Sequence, residues 1–169
     1  SNPMSLCLQE VRHSYALTEV LGGVSLALEP GGVLALVGPS GCGKTTLLHL
    51  CAGLLALQDG RLRNNFARPA LMFQQPRLLP WQTCADNIAL GLRAQGVARA
   101  EARSRAHAIG QLLGLDGEAL AAYPHQLSGG MQSRAALARA LVLQPDLLLM
   151  DEPFAALDIG LKAQLHRLL

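Results

Sequence analysis

The sequence has few aromatic residues and few charged ones. Phe, Trp and Tyr make up 4% of the 169 residues, and Asp, Glu, Lys and Arg make up 15%. The core must therefore be built from Leu, Ala, Val and Ile. Because 50% of the residues are hydrophobic, the composition indicates a folded globular protein rather than a disordered one. A net charge of +2 is too small to indicate nucleic-acid binding, and none is predicted.

Long apolar runs and cysteines at metal-ligand spacing are also missing. No apolar run approaches the roughly 18 residues of a membrane span, and the start of the sequence has no basic segment leading into an apolar one, as a secretory leader would. Residues 1–3 precede Met4 and resemble a cloning remnant. Of the four cysteines, Cys7, Cys51 and Cys84 are expected to be small buried side chains in a reducing cytoplasm.

Hydrophobic patterning predicts an α/β protein. Alternating residues predict two N-terminal strands, the second bracketed by glycine turns, and continuous apolar runs predict strands buried on both faces. A weak strand follows the turn at Asp59. Apart from this weak strand, the predicted strands, including the two N-terminal ones, cover residues 5–15, 22–32, 33–38, 70–73 and 147–150.

Helices are predicted in two places. One runs from Lys44 to Leu55, with apolar residues at 47, 48, 51, 54 and 55 on its core face. The others lie in an alanine- and leucine-rich stretch that interrupts the strands. We therefore predict a nucleotide-binding core from residues 4–75 and 145–169, with an inserted helical subdomain at 76–144.

The stretch "GPSGCGKTT" fits the phosphate-loop pattern G-x-x-x-x-G-K-[ST]. Glycines let successive backbone N–H groups surround a phosphate, and the helix that follows directs its positive end at the same group. Lys44 adds a cation for the β- and γ-phosphates, and Thr45 offers a hydroxyl to Mg²⁺. ATP and Mg²⁺ are therefore the predicted cofactors. The predicted phosphate-loop residues are Gly38, Pro39, Ser40, Gly41, Cys42, Gly43, Lys44, Thr45 and Thr46.

Two adjacent acids follow the last buried strand. In "LLLMDEP", Asp151 is predicted to hold Mg²⁺ through water, and Glu152 to polarise the water that attacks the γ-phosphate. Such a pair could also be a solvated acidic turn, but the phosphate loop favours the catalytic interpretation. The two motifs together resemble those of P-loop NTPases, which implies a RecA-like α/β core, here with N-terminal antiparallel strands and an inserted α-helical subdomain.

The stretch "LSGGMQ", residues 127–132, separates this chain from other ATPases. Ser128 is a good helix cap, and the glycines after it expose N–H groups. Together with the other motifs it resembles the signature sequence of ABC-type ATPases. The resemblance implies that Ser128, Gly129 and Gly130 contact the γ-phosphate held by the Gly38–Thr45 loop of a second copy. It therefore implies a head-to-tail homodimer with two ATP molecules between the subunits.

The same resemblance assigns further residues one by one. Tyr15 resembles the aromatic that stacks on adenine, with His13 as the rival ring and a surface tyrosine as the alternative. Gln74 resembles the glutamine that joins Mg²⁺ in the catalytic site and senses the transporter, with Gln75 as the alternative. Asp158 resembles the acid that contacts the partner subunit.

The stretch "RLLPWQTCADNIALGL" is similar to importer ATPases of the nitrate, sulfonate and taurine group, at Leu79, Pro80, Trp81, Thr83 and Asn87. That similarity implies that the surface from Gln74 to Trp81 docks a membrane permease. Trp81 is expected to be either an exposed docking anchor or half buried under the helical subdomain. A solute-binding protein would take part indirectly. The ATPase would lie peripherally on the cytoplasmic face of the inner or plasma membrane, driving uptake of a small, anionic solute.

Other functions remain open alternatives at this point. They are a soluble ABC ATPase without a transport role, a small-molecule P-loop kinase, and a nucleotide-binding fragment without turnover. The last arises because the family pattern continues to a further strand ending in a histidine, and no residue matches it. His166 lies on the polar side of an amphipathic segment and is predicted to be a surface residue. Residues 1–169 are therefore expected to be C-terminally truncated, and to bind nucleotide but hydrolyse it poorly.

Overall fold

The chain divides into a strand-rich unit, residues 1–74 with 146–169, and a helical unit, residues 75–145. The computed structural model describes residues 6–28, 33–36, 43–72 and 76–151. In these ranges the strands are β1 (Leu6–Tyr15), β2 (Thr18–Leu28), β3 (Val33–Leu36), β4 (Asp59–Asn64), β5 (Pro69–Met72) and β6 (Leu147–Asp151). The helices are α1 (Lys44–Cys51), α2 (Cys84–Ala94), α3 (Arg99–Leu112), α4 (Gly117–Ala121) and α5 (Gly129–Leu141), with a 3-10 turn at Pro124–Gln126.

The strand-rich unit contains two three-stranded sheets. The first has the order β2-β1-β4 and is antiparallel, and the second has the order β3-β6-β5 and is parallel. The central strand of the parallel sheet is "LLLMD", and Leu147, Leu148 and Leu149 are each 0% exposed. A continuous apolar run is typical of a parallel strand that is covered on both faces. The predicted α/β core with N-terminal antiparallel strands is confirmed.

One hydrophobic core joins both sheets and α1. It contains Leu6 and Leu8 from β1, Leu48 from α1, and Leu147 and Leu149 from β6, all at most 1% exposed. Phe66 is the aromatic member of this cluster. Aliphatic side chains therefore supply nearly all of the packing, as the composition predicts.

The glycine turn predicted ahead of the second strand is wrong. Gly22 and Gly23 lie inside β2, which begins at Thr18. They face the part of β1 where the pairing register shifts, and Gly23 has a φ of 92°. A bulged pair needs a residue that tolerates the left-handed region, and glycine does so without strain. The turn between the two strands is instead at residues 16–17.

Helix α1 is shorter than predicted. It ends at Cys51, and Gly53, with a φ of 76°, donates its N–H to the Leu50 carbonyl. The Leu54 N–H bonds back to His49 at 2.8 Å, which completes a Schellman ending. Leu54 is therefore 63% exposed and does not belong to the core face, contrary to the prediction.

Small side chains build the helical unit. Ala102 and Ala106 of α3 and Ala135 and Ala138 of α5 are all 0% exposed. Alanine is a strong helix former, and its short side chain lets neighbouring helices approach closely. Among the described residues, no helix is both long enough and apolar enough to cross a bilayer.

The cysteines divide into two kinds. Cys51 and Cys84 are buried, and burial raises the pKa of each thiol to about 11. Both therefore remain neutral thiols near neutral pH and act as small apolar side chains, as predicted. Cys7 is only partly buried, which corrects its predicted burial. Cys7 lies on β1, opposite Arg63 of β4.

Candidate functional site

Several of the predicted site residues lie outside the described residues. Those outside are Gly38, Pro39, Ser40, Gly41, Cys42, Gln74, Gln75, Glu152, Asp158 and His166. The roles given to them in the sequence analysis stay predictions. For Lys44, Thr45 and Asp151 the description covers the backbone: the first two open α1, and Asp151 ends β6.

The end of the phosphate loop is fixed by Gly43. This residue caps α1 in the left-handed conformation, with a φ of 88°. A Cβ added to Gly43 would lie 2.5 Å from the Val20 carbonyl oxygen of β2. Backbone conformation and backbone packing therefore both require glycine here.

Helix α1 begins without a side-chain cap. No side chain among the described residues bonds to its first amides, and the first turn contains no acid. The first N–H groups of a helix have no partner within the helix, and the helix dipole concentrates positive charge at the same place. This helix start therefore suits a phosphate group, which can accept those N–H groups.

The parallel sheet brings the end of β6 beside the end of β3, the strand that precedes the phosphate-loop motif in the sequence. In its register, Asp151 lies opposite Leu36, the last residue of β3. Gly38 follows Leu36 by two positions in the sequence. Carboxyl ends of parallel strands meet at one edge of a sheet, so the backbone of Asp151 and the end of the strand that leads into the predicted phosphate loop share that edge.

Tyr15 lies next to α1. Its hydroxyl oxygen is 3.3 Å from Thr46 Oγ1, and Thr46 is only 8% exposed. Tyr15 is 50% exposed, whereas its rival His13 is 4% exposed. The free ring face favours Tyr15 over His13 as the stacking residue.

His13 packs beneath that tyrosine. The two rings meet edge to face, with centroids 4.8 Å apart. His13 Nδ1 is buried and has no hydrogen-bond partner among the described residues. We therefore see in His13 a support for the orientation of the tyrosine ring rather than a group that reaches nucleotide.

The signature stretch forms the start of α5. Ser128 is the N-cap, and its Oγ accepts from the Met131 N–H at 3.2 Å. Gln132 Nε2 donates to the Pro124 carbonyl at 2.9 Å and holds the preceding turn. Gly129 and Gly130 are exposed, and a Cβ added to either meets nothing within 4 Å. Packing against the described part of the chain therefore does not explain these two glycines.

The loop with the single tryptophan is rigidly held, although the tryptophan is exposed. Trp81 is 70% exposed, so its predicted alternative of half burial under the helical subdomain is wrong. Asn87 of α2 is 0% exposed, and its Oδ1 accepts from the Leu79 N–H at 2.7 Å. Its Nδ2 donates to the carbonyls of Leu79, Gln82 and Thr83. An ordered loop that presents an exposed aromatic ring is a suitable docking surface.

Sequence reasoning missed Arg139 of α5. Its guanidinium donates to the Pro76 carbonyl at 2.7 Å and to the Arg77 carbonyl at 3.1 Å. A signal was available, because position 139 is four residues after the buried Ala135 and three before the buried Val142. A charged residue at such a spacing lies on the packed side of a helix and needs partners there.

A sequence profile described as "ABC transporter" matches residues 21–155. The taurine import ATP-binding protein TauB of Rhizobium johnstonii is 46% identical over 156 residues, which cover 88% of this chain and 59% of that protein. The aliphatic sulfonates import ATP-binding protein SsuB 1 of Pseudomonas syringae pv. tomato is 44% identical over 99% of this chain and 59% of its own length. The chain thus spans about three fifths of these curated relatives.

Among solved structures, the chain is similar to one described as the dimeric structure of MJ0796, a bacterial ABC transporter cassette. The TM-score is 0.79 at 28% sequence identity, and the match covers 96% of this chain and 80% of that one. The similarity therefore extends through both the strand-rich unit and the helical unit.

Proposed function

The chain belongs to the ABC transporter family, and on that premise we propose that it is the ATP-binding and ATP-hydrolysing subunit of an importer. The observation that carries the proposal is the pairing of Asp151 with Leu36 at one edge of the parallel sheet. This register supports the proposal, because Asp151 ends its strand opposite the last residue of the strand that leads into the predicted phosphate loop, and a Mg–ATP site needs a carboxylate near the phosphates.

Each part of the site has a chemical role in this proposal. The Gly38–Thr46 loop and the start of α1 bind the phosphates, and Tyr15 stacks on the base. Thr45, Asp151 and Gln74 would hold Mg²⁺, which neutralises developing charge on the phosphates when it is bound. Lys44 contributes a further cation at the β- and γ-phosphates. Glu152 orients and polarises the attacking water.

The glycines of α5 support a dimeric arrangement. Gly129 and Gly130 are exposed, and no described residue lies within 4 Å of a Cβ added at either, so a phosphate could approach their amides closely. In the proposed head-to-tail homodimer, these amides and Ser128 serve the nucleotide held by a second copy. Asp158 contacts the same partner. Nucleotide binding then closes the dimer and hydrolysis reopens it.

The exposed Trp81 supports a membrane partner. We propose that the surface from Gln74 to Trp81 docks a separate permease, which places the ATPase on the cytoplasmic face of the membrane as a peripheral subunit. A solute-binding protein would act through that permease. The curated relatives are named for taurine and aliphatic sulfonates. We therefore propose a small solute that carries a sulfonate or similar anionic group.

The test uses the full-length protein, its permease and its solute-binding protein in phospholipid vesicles. We expect solute-stimulated ATP hydrolysis and uptake of taurine or an alkanesulfonate. Asp151→Asn should lower hydrolysis by about a hundredfold or more, because the metal loses an anionic partner. Asp59→Asn, at an exposed strand start and without a proposed role at the nucleotide, is the control. ATP hydrolysis without uptake of any anionic solute would contradict the importer assignment.

The chain of residues 1–169 offers a second measurement. We propose that it binds Mg–ATP but releases phosphate slowly, because no residue matches the histidine expected after the catalytic glutamate. An equilibrium ATP titration and a steady-state phosphate-release assay on this chain check the two halves. Turnover equal to that of the full-length protein would contradict the second half.

A further inference from the structure

Arg139 is a cation on the packed side of α5. Burial lowers the pKa of its guanidinium, although an arginine remains charged at neutral pH. Ala135, four residues before Arg139, is 0% exposed, and Val142, three residues after it, is 5% exposed. A charge in such surroundings is costly unless its N–H groups find acceptors.

The acceptors are two consecutive backbone carbonyls. Arg139 Nη2 is 2.7 Å from the Pro76 oxygen, and Nη1 is 3.1 Å from the Arg77 oxygen. Arg77 has a φ of 49°, a region that a residue with a Cβ rarely adopts. The planar fork of a guanidinium can hold two such oxygens at once, which a lysine ammonium cannot do with the same geometry. The backbone at residues 76–77 is therefore held to α5 by two hydrogen bonds from one guanidinium.

A second side chain holds the other end of the same segment. Asn87 bonds to both backbone groups of Leu79 and to the carbonyls of Gln82 and Thr83. Residues 76–83, which we call the clamped segment, are thus fixed to α5 at one end and to α2 at the other. Trp81 projects from this segment with 70% of its surface exposed.

We propose that Arg139 is a positioning residue that couples the clamped segment to the signature end of α5. The proposal rests on the proposed function, in which the permease contacts Trp81 and the signature serves a nucleotide. Helix α5 has 13 residues and is about 20 Å long, so it can carry a displacement rigidly from its last turn to Ser128. A permease that shifts the clamped segment then shifts Ser128, Gly129 and Gly130.

The alternative role for Arg139 is purely structural, and it predicts different behaviour. A structural residue changes stability and lowers every activity together. A coupling residue changes the response to the permease while hydrolysis without the permease continues. The ratio of permease-stimulated to basal hydrolysis is therefore the informative measurement.

The experiment uses full-length protein, alone and with its permease in phospholipid vesicles. Arg139→Met keeps an apolar stem of similar length and removes the donors. We expect basal hydrolysis within about twofold of wild type and stimulation by the permease at least about fivefold lower. Arg93→Ala is the matched control, since Arg93 also lies in the last turn of a helix and donates to a carbonyl, that of Val97 at 2.8 Å. It should leave stimulation unchanged.

A double variant tests the route. If Trp81 acts through Arg139, combining Trp81→Ala with Arg139→Met should reduce stimulation no further than the stronger single change. A folded Arg139→Met protein with wild-type stimulation would overturn the proposal. So would a double variant whose loss of stimulation is the product of the losses in the two single variants. If Arg139→Met lowers the unfolding temperature below the assay temperature, Arg139→Lys takes its place. A stimulation of Arg139→Lys by the permease that is lower than that of wild type supports coupling, and an undiminished stimulation overturns it.

Failure of the proposed function is visible in the wild-type sample alone. A wild-type protein that hydrolyses no ATP, or that does not associate with the permease, removes the premise before any variant is measured. A wild-type protein that shows stimulation, together with an Arg139→Met protein that keeps it, leaves the proposed function intact and removes only the coupling role.

Discussion

The helix starts at Gly43 and at Ser128 both contain glycine, but the glycines are constrained in different ways. Gly43 is left-handed and faces the Val20 carbonyl, which a Cβ would meet at 2.5 Å. Gly129 and Gly130 lie in the first turn of α5, where a Cβ would meet nothing within 4 Å. The first helix start lacks a side-chain cap, whereas the second has a bonded serine.

The two helix starts differ in what requires the glycine, which is either the fold of the chain itself or a group that binds to the surface. At Gly43 the chain itself excludes every other residue, so folding alone accounts for the glycine. At Gly129 and Gly130 folding would favour alanine, because glycine costs about 1 kcal/mol relative to alanine inside a helix. Since no contact among the described residues requires glycine there, we expect any such requirement to come from something that binds to the surface.

The largest expected effect comes from Gly43→Ala. Left-handed strain and the clash with Val20 together should lower the free energy of unfolding by about 2 kcal/mol or more. ATP binding should fall with it, because the loop end moves. Urea denaturation and an ATP titration check both. Gly53→Ala is the control, since Gly53 has a φ of 76° but open space around it. Equal losses at the two positions would show that the Val20 contact is unimportant.

A smaller loss, confined to activity, is expected from Gly130→Ala in the full-length protein. The unfolding free energy should stay the same or rise by up to about 1 kcal/mol, because alanine is the better helix former. ATP hydrolysis should fall about tenfold, because an added methyl at a tight phosphate contact costs about 1–3 kcal/mol. Gly117→Ala changes another exposed glycine in the first turn of a helix and should leave hydrolysis unchanged. Undiminished ATP hydrolysis in Gly130→Ala would show that no bound group requires glycine at this position.

The smallest effect is expected from Ser128→Ala on stability. Loss of the Oγ bond to Met131 should cost about 1 kcal/mol, the usual value of an N-cap. Asp116→Ala removes the comparable cap of α4, where Oδ1 accepts from the Ala119 N–H at 2.8 Å. Both should lower the unfolding temperature similarly, and only Ser128→Ala should also slow hydrolysis. A slowing in both variants would trace the effect to stability.

Features with a strong local signal were predictable. The run "LLLMD" predicts a strand buried on both faces because few other structures bury consecutive apolar residues at that length. The phosphate-loop pattern predicts the helix that begins at Lys44. Helix α4 has five residues, and its short pattern does not stand out from a loop. The local sequence predicts a turn at Gly22 and Gly23, whereas the structure has a bulge there, because a bulge depends on the partner strand.

The candidate site shows the same division. The residue types and spacing around Gly43 and Asp151 predict the chemistry, but the register that makes Asp151 a neighbour of Leu36 is a property of the assembled sheet. The exposure of Trp81 could not be decided from its neighbours in sequence. Arg139 finds its acceptors more than sixty positions away, and no local pattern reports such a distance.

Asp146 links two distant parts of the strand-rich unit. Its carboxylate accepts the N–H groups of Ala67 at 2.7 Å and Arg68 at 2.8 Å, just ahead of the pairing of Pro69 with Leu147. Closing so long a chain segment is entropically costly, and structures dominated by such contacts assemble slowly. Between the two ends lie helices α2 to α5, which pack against one another within the helical unit. We therefore expect those helices to form early during folding, and the carboxylate of Asp146 to fix the strand alignment in a late step.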